Sequence, residues 1–192
     1  TLRLQTFTQP FSKFAHYLAG KVDIHAPAEE QLHKILAQYC GRKYPVKFWE
    51  TILFPRRIKN YGAPLLDKLL AQGDYFWQMS ENGDLCFCRY EDIDWEASLP
   101  IATVPLEEEE RLMYEELKKR GACFLRFLTG VPKHGNAQEI LLSLAQKGLV
   151  CADSFIPVRQ WMNQEKTRKA TARQRVGARV MALSAGRWDI VR

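Results

Sequence analysis

Long apolar runs are missing from this chain. Nothing approaches the roughly 18 consecutive apolar residues a membrane-spanning helix needs, and no signal peptide opens the sequence. These absences argue against a membrane span and predict a cytoplasmic chain. Thr1 stands where Met would begin a primary product, as in a processed form, an excerpt, or a piece of something longer. Cysteine is odd in number and irregular in spacing: Cys40, Cys86, Cys88, Cys123 and Cys151 fall in apolar contexts, which predicts reduced, buried thiols. Cys86 and Cys88 would share one face of a strand, but no second pair and no nearby histidine completes a tetrahedral set, so no metal is expected. His16, His25, His33 and His134 form no spaced cluster, and no Ser or Cys nucleophile motif appears. A GxxxxGK[ST] phosphate loop and an Asp-Glu box are also absent. ATP hydrolysis is therefore not expected of this chain, and no cofactor is implied.

Acid is nearly absent from one stretch. From Pro157 to Met181 there are seven Lys or Arg (Arg159, Lys166, Arg168, Lys169, Arg173, Arg175, Arg179) against Glu165 alone, an excess equal to the whole chain's formal net charge of +6. The remainder nearly cancels. Such a block is a solvated loop or an arm for polyanions. With 192 residues, 46% of them hydrophobic, the chain can fill one sizeable core or two small ones, and two are predicted.

Periodicity divides the chain. "PAEEQLHKILAQY" (27–39) places Leu32, Ile35, Leu36 and Tyr39 on one helical face, with Gly41 just beyond. "PVKFWETILF" predicts a second helix stopped by Pro55, and "APLLDKLLAQG" a third stopped by Gly73. Two aromatic-rich strands, "DYFWQM" and "LCFCRY", then flank an Asn82-Gly83 turn. After an acidic, proline-containing connector the order restarts. Residues 106–120 carry Glu107 to Glu110 at one end and Lys118, Lys119 and Arg120 at the other, matching a helix dipole. "ACFLRFLTG" predicts a short second helix, and "NAQEILLSLAQKG" a third with Asn136 as N-cap and Gly148 as stop. "LVCADSFIPV" reads as extended, "GRWDIV" as its antiparallel mate, and the basic stretch as the tip between them. Leu66, Leu69, Leu70 and Gly73 recur 75 residues on as Leu141, Leu144, Ala145 and Gly148. Three helices and a hairpin, twice, predict an α+β fold of tandem winged-helix units, mostly helical: 1–95, a connector at 96–105, and 106–192.

In a winged helix the third helix faces a DNA groove while the hairpin follows the backbone, and Lys and Arg there release counterions from phosphates. The candidates in the first unit are Arg56, Arg57, Lys59, Asn60 and Lys68, with Asn82 at the wing tip. In the second they are Lys133, His134, Asn136, Gln138 and Arg159, followed by Lys166, Arg168, Lys169, Arg173, Arg175 and Arg179. The basic insert holds little apolar content, so phosphate contact without base readout is its expected task. Tyr75, Phe76 and Trp77 could stack bases, though a core role is the stronger expectation.

At these residues the chain resembles the region C-terminal to the motor in Lhr-type (large helicase-related) superfamily 2 DNA helicases. Trp49, Glu50, Pro55, Arg57, Tyr61, Leu66, Asp67, Leu69, Gly73, Asp74 and Trp77 carry the likeness in the first unit; Asp153, Phe155, Pro157, Arg159, Gly186, Arg187 and Trp188 carry it in the second. A tryptophan the family has near residues 18–22 is missing, and Asp189 replaces a small polar residue. The resemblance implies a nucleic-acid-binding accessory region that helps a helicase hold DNA, with the motor domains in the same longer polypeptide and a nucleoid-associated location. It also brings an alternative, because this region resembles winged-helix DNA glycosylases with a Gln-x-Gln or Gln-x-Asp signature. Gln72-Gly73-Asp74 matches that signature literally, but an ordinary helix stop explains it. Asp153 and Asp189 are the weak catalytic candidates, against a structural capping or salt-bridging role. A protein-interaction platform is the third reading.

Overall fold

Proline and glycine punctuate the helices of the first unit. The computed structural model describes residues 12–13, 25–93, 104–163, 181, 183 and 186–191. Helix α1 (Ala28–Gln38) starts after Pro27 and buries Leu32, Ile35 and Leu36. Strand β1 (Tyr44–Pro45) leads into three abutting helical pieces: α2 (Val46–Phe48), a π-helical segment (Trp49–Leu53) and α3 (Phe54–Arg57). Pro55 therefore does not stop the helix as predicted. It sits in the first turn of α3, where a missing N–H costs nothing, directly after the wider π turn. Helix α4 (Ala63–Gln72) buries Leu66, Leu69 and Leu70 and ends at Gly73, whose φ of 89° explains the glycine. Strands β2 (Tyr75–Met79) and β3 (Asp84–Arg89) pair antiparallel from Tyr75↔Arg89 to Met79↔Leu85, closed by a turn with Gly83 at φ 77°. The Asn82-Gly83 signal is thus realised.

The second unit repeats the plan with one element reduced. Helix α5 (Glu108–Arg120) is followed by β4 (Cys123–Phe124), a 3-10 turn (Leu125–Phe127), α6 (Ala137–Gln146), β5 (Val150–Ala152), α7 (Ile156–Met162) and β6 (Arg187–Ile190). The two sheets share one topology, β1-β3-β2 and β4-β6-β5. Asn136 caps α6 by accepting the Gln138 N–H at 3.0 Å, and Gly148 has φ 74°, as the repeat predicted. Two expectations fail here. "ACFLRFLTG" forms a short strand and a single 3-10 turn instead of a helix. "LVCADSFIPV" is extended only to Ala152, because Pro157 occupies the first turn of α7. The free N–H groups opening α7 are met by side chains: the Phe155 N–H donates to Asp67 Oδ1 of the first unit at 2.7 Å, and the Ile156 N–H to Ser154 Oγ at 3.2 Å.

The buried residues form one contiguous cluster rather than two small cores. Trp49, fully buried, donates its indole N–H to the Leu85 carbonyl at 2.9 Å and meets Phe87 edge-on at 4.9 Å. Removing such a ring costs about 3–5 kcal/mol. Trp77 lies at the seam between the units, donating to the Ser154 carbonyl at 3.1 Å and meeting Trp188 edge-on at 6.2 Å. Tyr75, Phe76 and Trp77 are all buried, which assigns them to the core. Edge strands β2 and β5 lie side by side, joined by Gln78 Nε2 to the Gly148 carbonyl at 3.4 Å. Residues 94–103, which include most of the predicted connector, and 164–180, which hold the predicted basic tip, lie outside the described residues.

Helix α5 opens with a capping box. The Glu107 carboxylate accepts the Glu110 N–H and the Glu110 carboxylate accepts the Glu107 N–H at 2.9 Å; Glu110, only 5% exposed, also accepts from Ser143 Oγ and Lys147 Nζ, both at 2.6 Å. Burial acts to raise the Glu110 pKa, but the hydrogen bonds from Lys147, Ser143 and the Glu107 N–H outweigh it and hold the carboxyl below its ordinary value. A depressed folded pKa adds stability above the unfolded carboxylate pKa of about 4.3, and that stability is lost as pH falls through the folded value. Glu110→Gln should therefore cost about 1–3 kcal/mol at pH 7. Urea melts should show the gap from wild type closing as pH falls below the unfolded carboxylate pKa of about 4.3.

Candidate nucleic-acid interface

The third helix of a winged unit reads a groove only if its polar face is free. In the first unit that face is largely engaged. Lys68 Nζ pairs with Glu29 at 2.7 Å and Gln72 Nε2 with the same carboxylate at 2.8 Å; the Lys68 bond, then the Gln72 bond, draws the Glu29 pKa down. Asp67 faces the second unit. Gln72-Gly73-Asp74 is an ordinary helix end, with Gly73 left-handed and Asp74 3.9 Å from His33.

Arg159 is the centre of the contact between units. From α7 its Nε reaches the Glu50 carboxylate at 2.8 and 3.0 Å, and Nη2 reaches Glu50 Oε1 at 2.7 Å. Nη1 bonds Asp67 Oδ2 at 2.5 Å, and Nη2 also bonds the Ala63 carbonyl at 3.1 Å. The guanidinium lies 5.3 Å from the Phe155 ring centroid, and Tyr61 completes the set with a 2.8 Å bond to Glu50. Burial disfavours the Arg159 charge, yet the bonds and charges of Glu50 and Asp67 hold it more firmly protonated than a free arginine. Burial, then the Glu50 charge, pushes the Tyr61 hydroxyl well above its ordinary value. Arg159 was expected at phosphates; here both faces of its fork are committed to carboxylates within the chain.

The cations at the turn before α4 are arranged differently. Arg56 and Lys59 are exposed and make no ion pair with a described residue; Arg57 leans on Tyr39, 3.3 Å from its hydroxyl and 5.9 Å from its ring centroid. Asn60, at φ 58°, closes that turn. In the second unit Lys133 lies 3.5 Å from Glu108, and the backbone N–H groups of Lys133 and His134 donate to Glu109, each at 3.0 Å. Gln138 bonds Gln160 of α7 at 2.6 Å, Asn136 is used as the cap, α6 itself contains no Lys or Arg, and Lys147 just beyond it pairs with Glu110. Lys166, Arg168, Lys169, Arg173, Arg175 and Arg179 lie outside the described residues.

Asp153 and Asp189 line one cavity of about 240 Å³ together with Gly73, Tyr90, Cys151 and Arg187. Asp153 is pinned by Arg187, through Nε to Oδ2 at 2.7 Å and the backbone N–H to Oδ1 at 2.5 Å. Asp189 accepts only the Ile190 N–H at 2.8 Å among the described residues. Burial, then the Asp189 charge, pushes the Cys151 thiol up to about 12. All five cysteines are free thiols; Cys86 and Cys88 lie 3.8 Å apart, and their hydrogen bond draws the Cys86 thiol below its ordinary value. No group of three His, Cys, Asp or Glu among the described residues is arranged to hold a metal, and no described helix is long and apolar enough to cross a membrane.

Glu50 and Asp67 were read only as landmarks, and their role escaped notice because their partner lies 109 and 92 residues away. The available signal was the clustering of Glu50, Tyr61, Asp67, Phe155 and Arg159 among the residues that carried the family likeness.

Comparison with known proteins agrees with the winged-helix fold of the first unit. Residues 6–88 match the family model described as "Large helicase-related protein, winged-helix domain". The chain is 30% identical over 162 residues, 75% of its length, to "Lhr helicase/ probable uracil glycosylase" of Mycolicibacterium smegmatis. It is 22% identical over 160 residues, 76% of its length, to "Lhr helicase/uracil glycosylase" of Escherichia coli. It spans about 10% of the length of each.

Arg159→Ala leaves two half-buried carboxylates without a counter-charge and should cost about 3–5 kcal/mol in a urea melt. The triple change Arg159→Met, Glu50→Gln, Asp67→Asn should recover much of that loss, because no buried charge is then left unpaired.

Proposed function

We propose that this chain, a member of the large helicase-related family that carries its winged-helix region, holds DNA through phosphate contacts beside a motor borne elsewhere on a longer polypeptide. It acts at the nucleoid and catalyses nothing by itself. One observation carries this reading: the chain's positive excess is concentrated in one excursion. Lys34, Lys68, Arg120 and Lys147 each face an intrachain carboxylate, whereas Arg56, Lys59, Lys118, Lys119 and Arg126 face none among the described residues. The chain's net excess lies between β5 and β6, the place of a wing. A charge pattern of this kind gives affinity without sequence readout. Lys68 and Arg159 act in packing; Arg56, Arg57, Lys59 and the cations from Lys166 to Arg179 form the DNA-facing set, with Lys133 at its margin.

Replacing Lys166, Arg168, Lys169, Arg173 and Arg175 with Ala should weaken binding to all sequences alike and reduce the slope of log affinity against log salt by roughly 3.5 to 4.5 units. Fluorescence anisotropy across a salt series measures this. An unchanged slope removes the wing from the interface, and a flat wild-type response favours a protein platform.

The Asp189 cavity supports a second reading, base excision, since both relatives bear a glycosylase in their names. A flipped base would enter the cavity, and Asp189, with one oxygen uncommitted among the described residues, would orient the attacking water while Arg187 holds Asp153. Incubation with a uracil-containing strand followed by alkali tests it: wild type should yield breaks, and Asp189→Asn should abolish them while leaving DNA affinity within about twofold. Tight binding without breaks leaves the accessory role alone.

A further inference from the structure

The reduced second helix of the second unit exposes a surface that the first unit lacks. Where β1 runs into three helical pieces, β4 runs into the single 3-10 turn Leu125–Phe127. At three residues per turn, Leu125 and the following Leu128 fall on the same side and are buried at 3% and 0% exposure. Arg126 and Phe127 must then face outwards, and Phe127 is 53% exposed. The Arg126 guanidinium lies 4.8 Å from the Phe124 ring centroid and 4.8 Å from that of Phe127. It makes no ion pair with a described residue. The strand before it follows the last turn of α5, where Lys118 and Lys119 are exposed and likewise unpaired among the described residues, and where the Arg120 charge is felt at the Cys123 thiol of β4.

Phe127 and the unneutralised Arg126 guanidinium beside it present an open π face next to a positive charge. The cations exclude a basic or purely apolar partner, and the solvent-facing ring of Phe127 asks for a flat π surface. An unpaired nucleobase supplies that surface and its flanking phosphates supply the negative charge, whereas a duplex hides its base faces.

We propose that Phe124, Arg126 and Phe127 form a stacking site for single-stranded nucleic acid: a base lies on Phe127, and Arg126, oriented by the two rings, meets an adjacent phosphate. This rests on the DNA-holding reading but goes beyond it, because it adds recognition of an unpaired base to the phosphate contacts assigned above.

The test measures affinity of the full chain for labelled oligothymidine, a length-matched abasic strand and a duplex. Phe127→Ala should weaken oligothymidine binding about tenfold and leave the abasic strand and duplex within about twofold. Phe127→Trp should retain the preference for a strand with bases. Phe127 is exposed, so these variants should keep the wild-type fold, and circular dichroism of each checks it. Equal loss on the abasic strand, or no loss on any strand, overturns the stacking site while the phosphate-holding reading stands. A wild-type chain that binds no strand overturns both. A self-association removed by Phe127→Ala, with DNA affinity unchanged, makes the patch a protein contact and overturns the proposal.

Discussion

The junction of the two winged units depends on one guanidinium. Arg159 joins Glu50, in the second helix of the first unit, to Asp67, on the helix that would otherwise read DNA. Asp67 in turn satisfies the start of α7, the helix that carries Arg159. The arrangement is closed: each unit supplies what the other's backbone or charge needs. A buried ion pair contributes little net stability over a well-packed apolar substitute, but it penalises every other register of the two bodies, which would leave charges stranded. Its value here is orientation. Trp77 on Ser154 and Gln78 on Gly148 add contacts along the same seam, so the single core is a consequence of docking rather than of one unit growing large.

This docking changes how a winged-helix array can meet DNA. The start of α4, where groove-reading side chains normally project, lies against α7, and Lys68 is neutralised by Glu29. Among the described residues, Arg56 and Lys59 in the turn before α4 and Arg126 after β4 keep exposed cations without an ion pair.

Legibility in the sequence followed the range of the interactions. The helices 28–38, 63–72, 108–120 and 137–146 were readable because i, i+3, i+4 leucines, terminal glycines and the glutamate-to-lysine gradient of α5 are local signals. The wing at Asn82-Gly83 was readable for the same reason. The π segment that accommodates Pro55, the single turn at Leu125, and α7 were not, because each is set by packing or by Asp67 from 88 residues away. Candidate site residues show the same division. Their charge was visible, but whether a cation was already matched was not: Lys68 and Arg159 look like Arg56 and Lys59 in one dimension and differ only once the carboxylates converge.

The insert between β5 and β6 has firm ends. On one side α7 is fastened by Arg159; on the other, Gly186, at φ 74°, passes so close to Ser154 and Asp153 that an added Cβ would fall 2.6 Å from the Ser154 Cβ. A side chain at position 186 would have to displace Ser154 and the Asp153 carboxylate that Arg187 holds, so the return of the chain into β6 tolerates glycine alone.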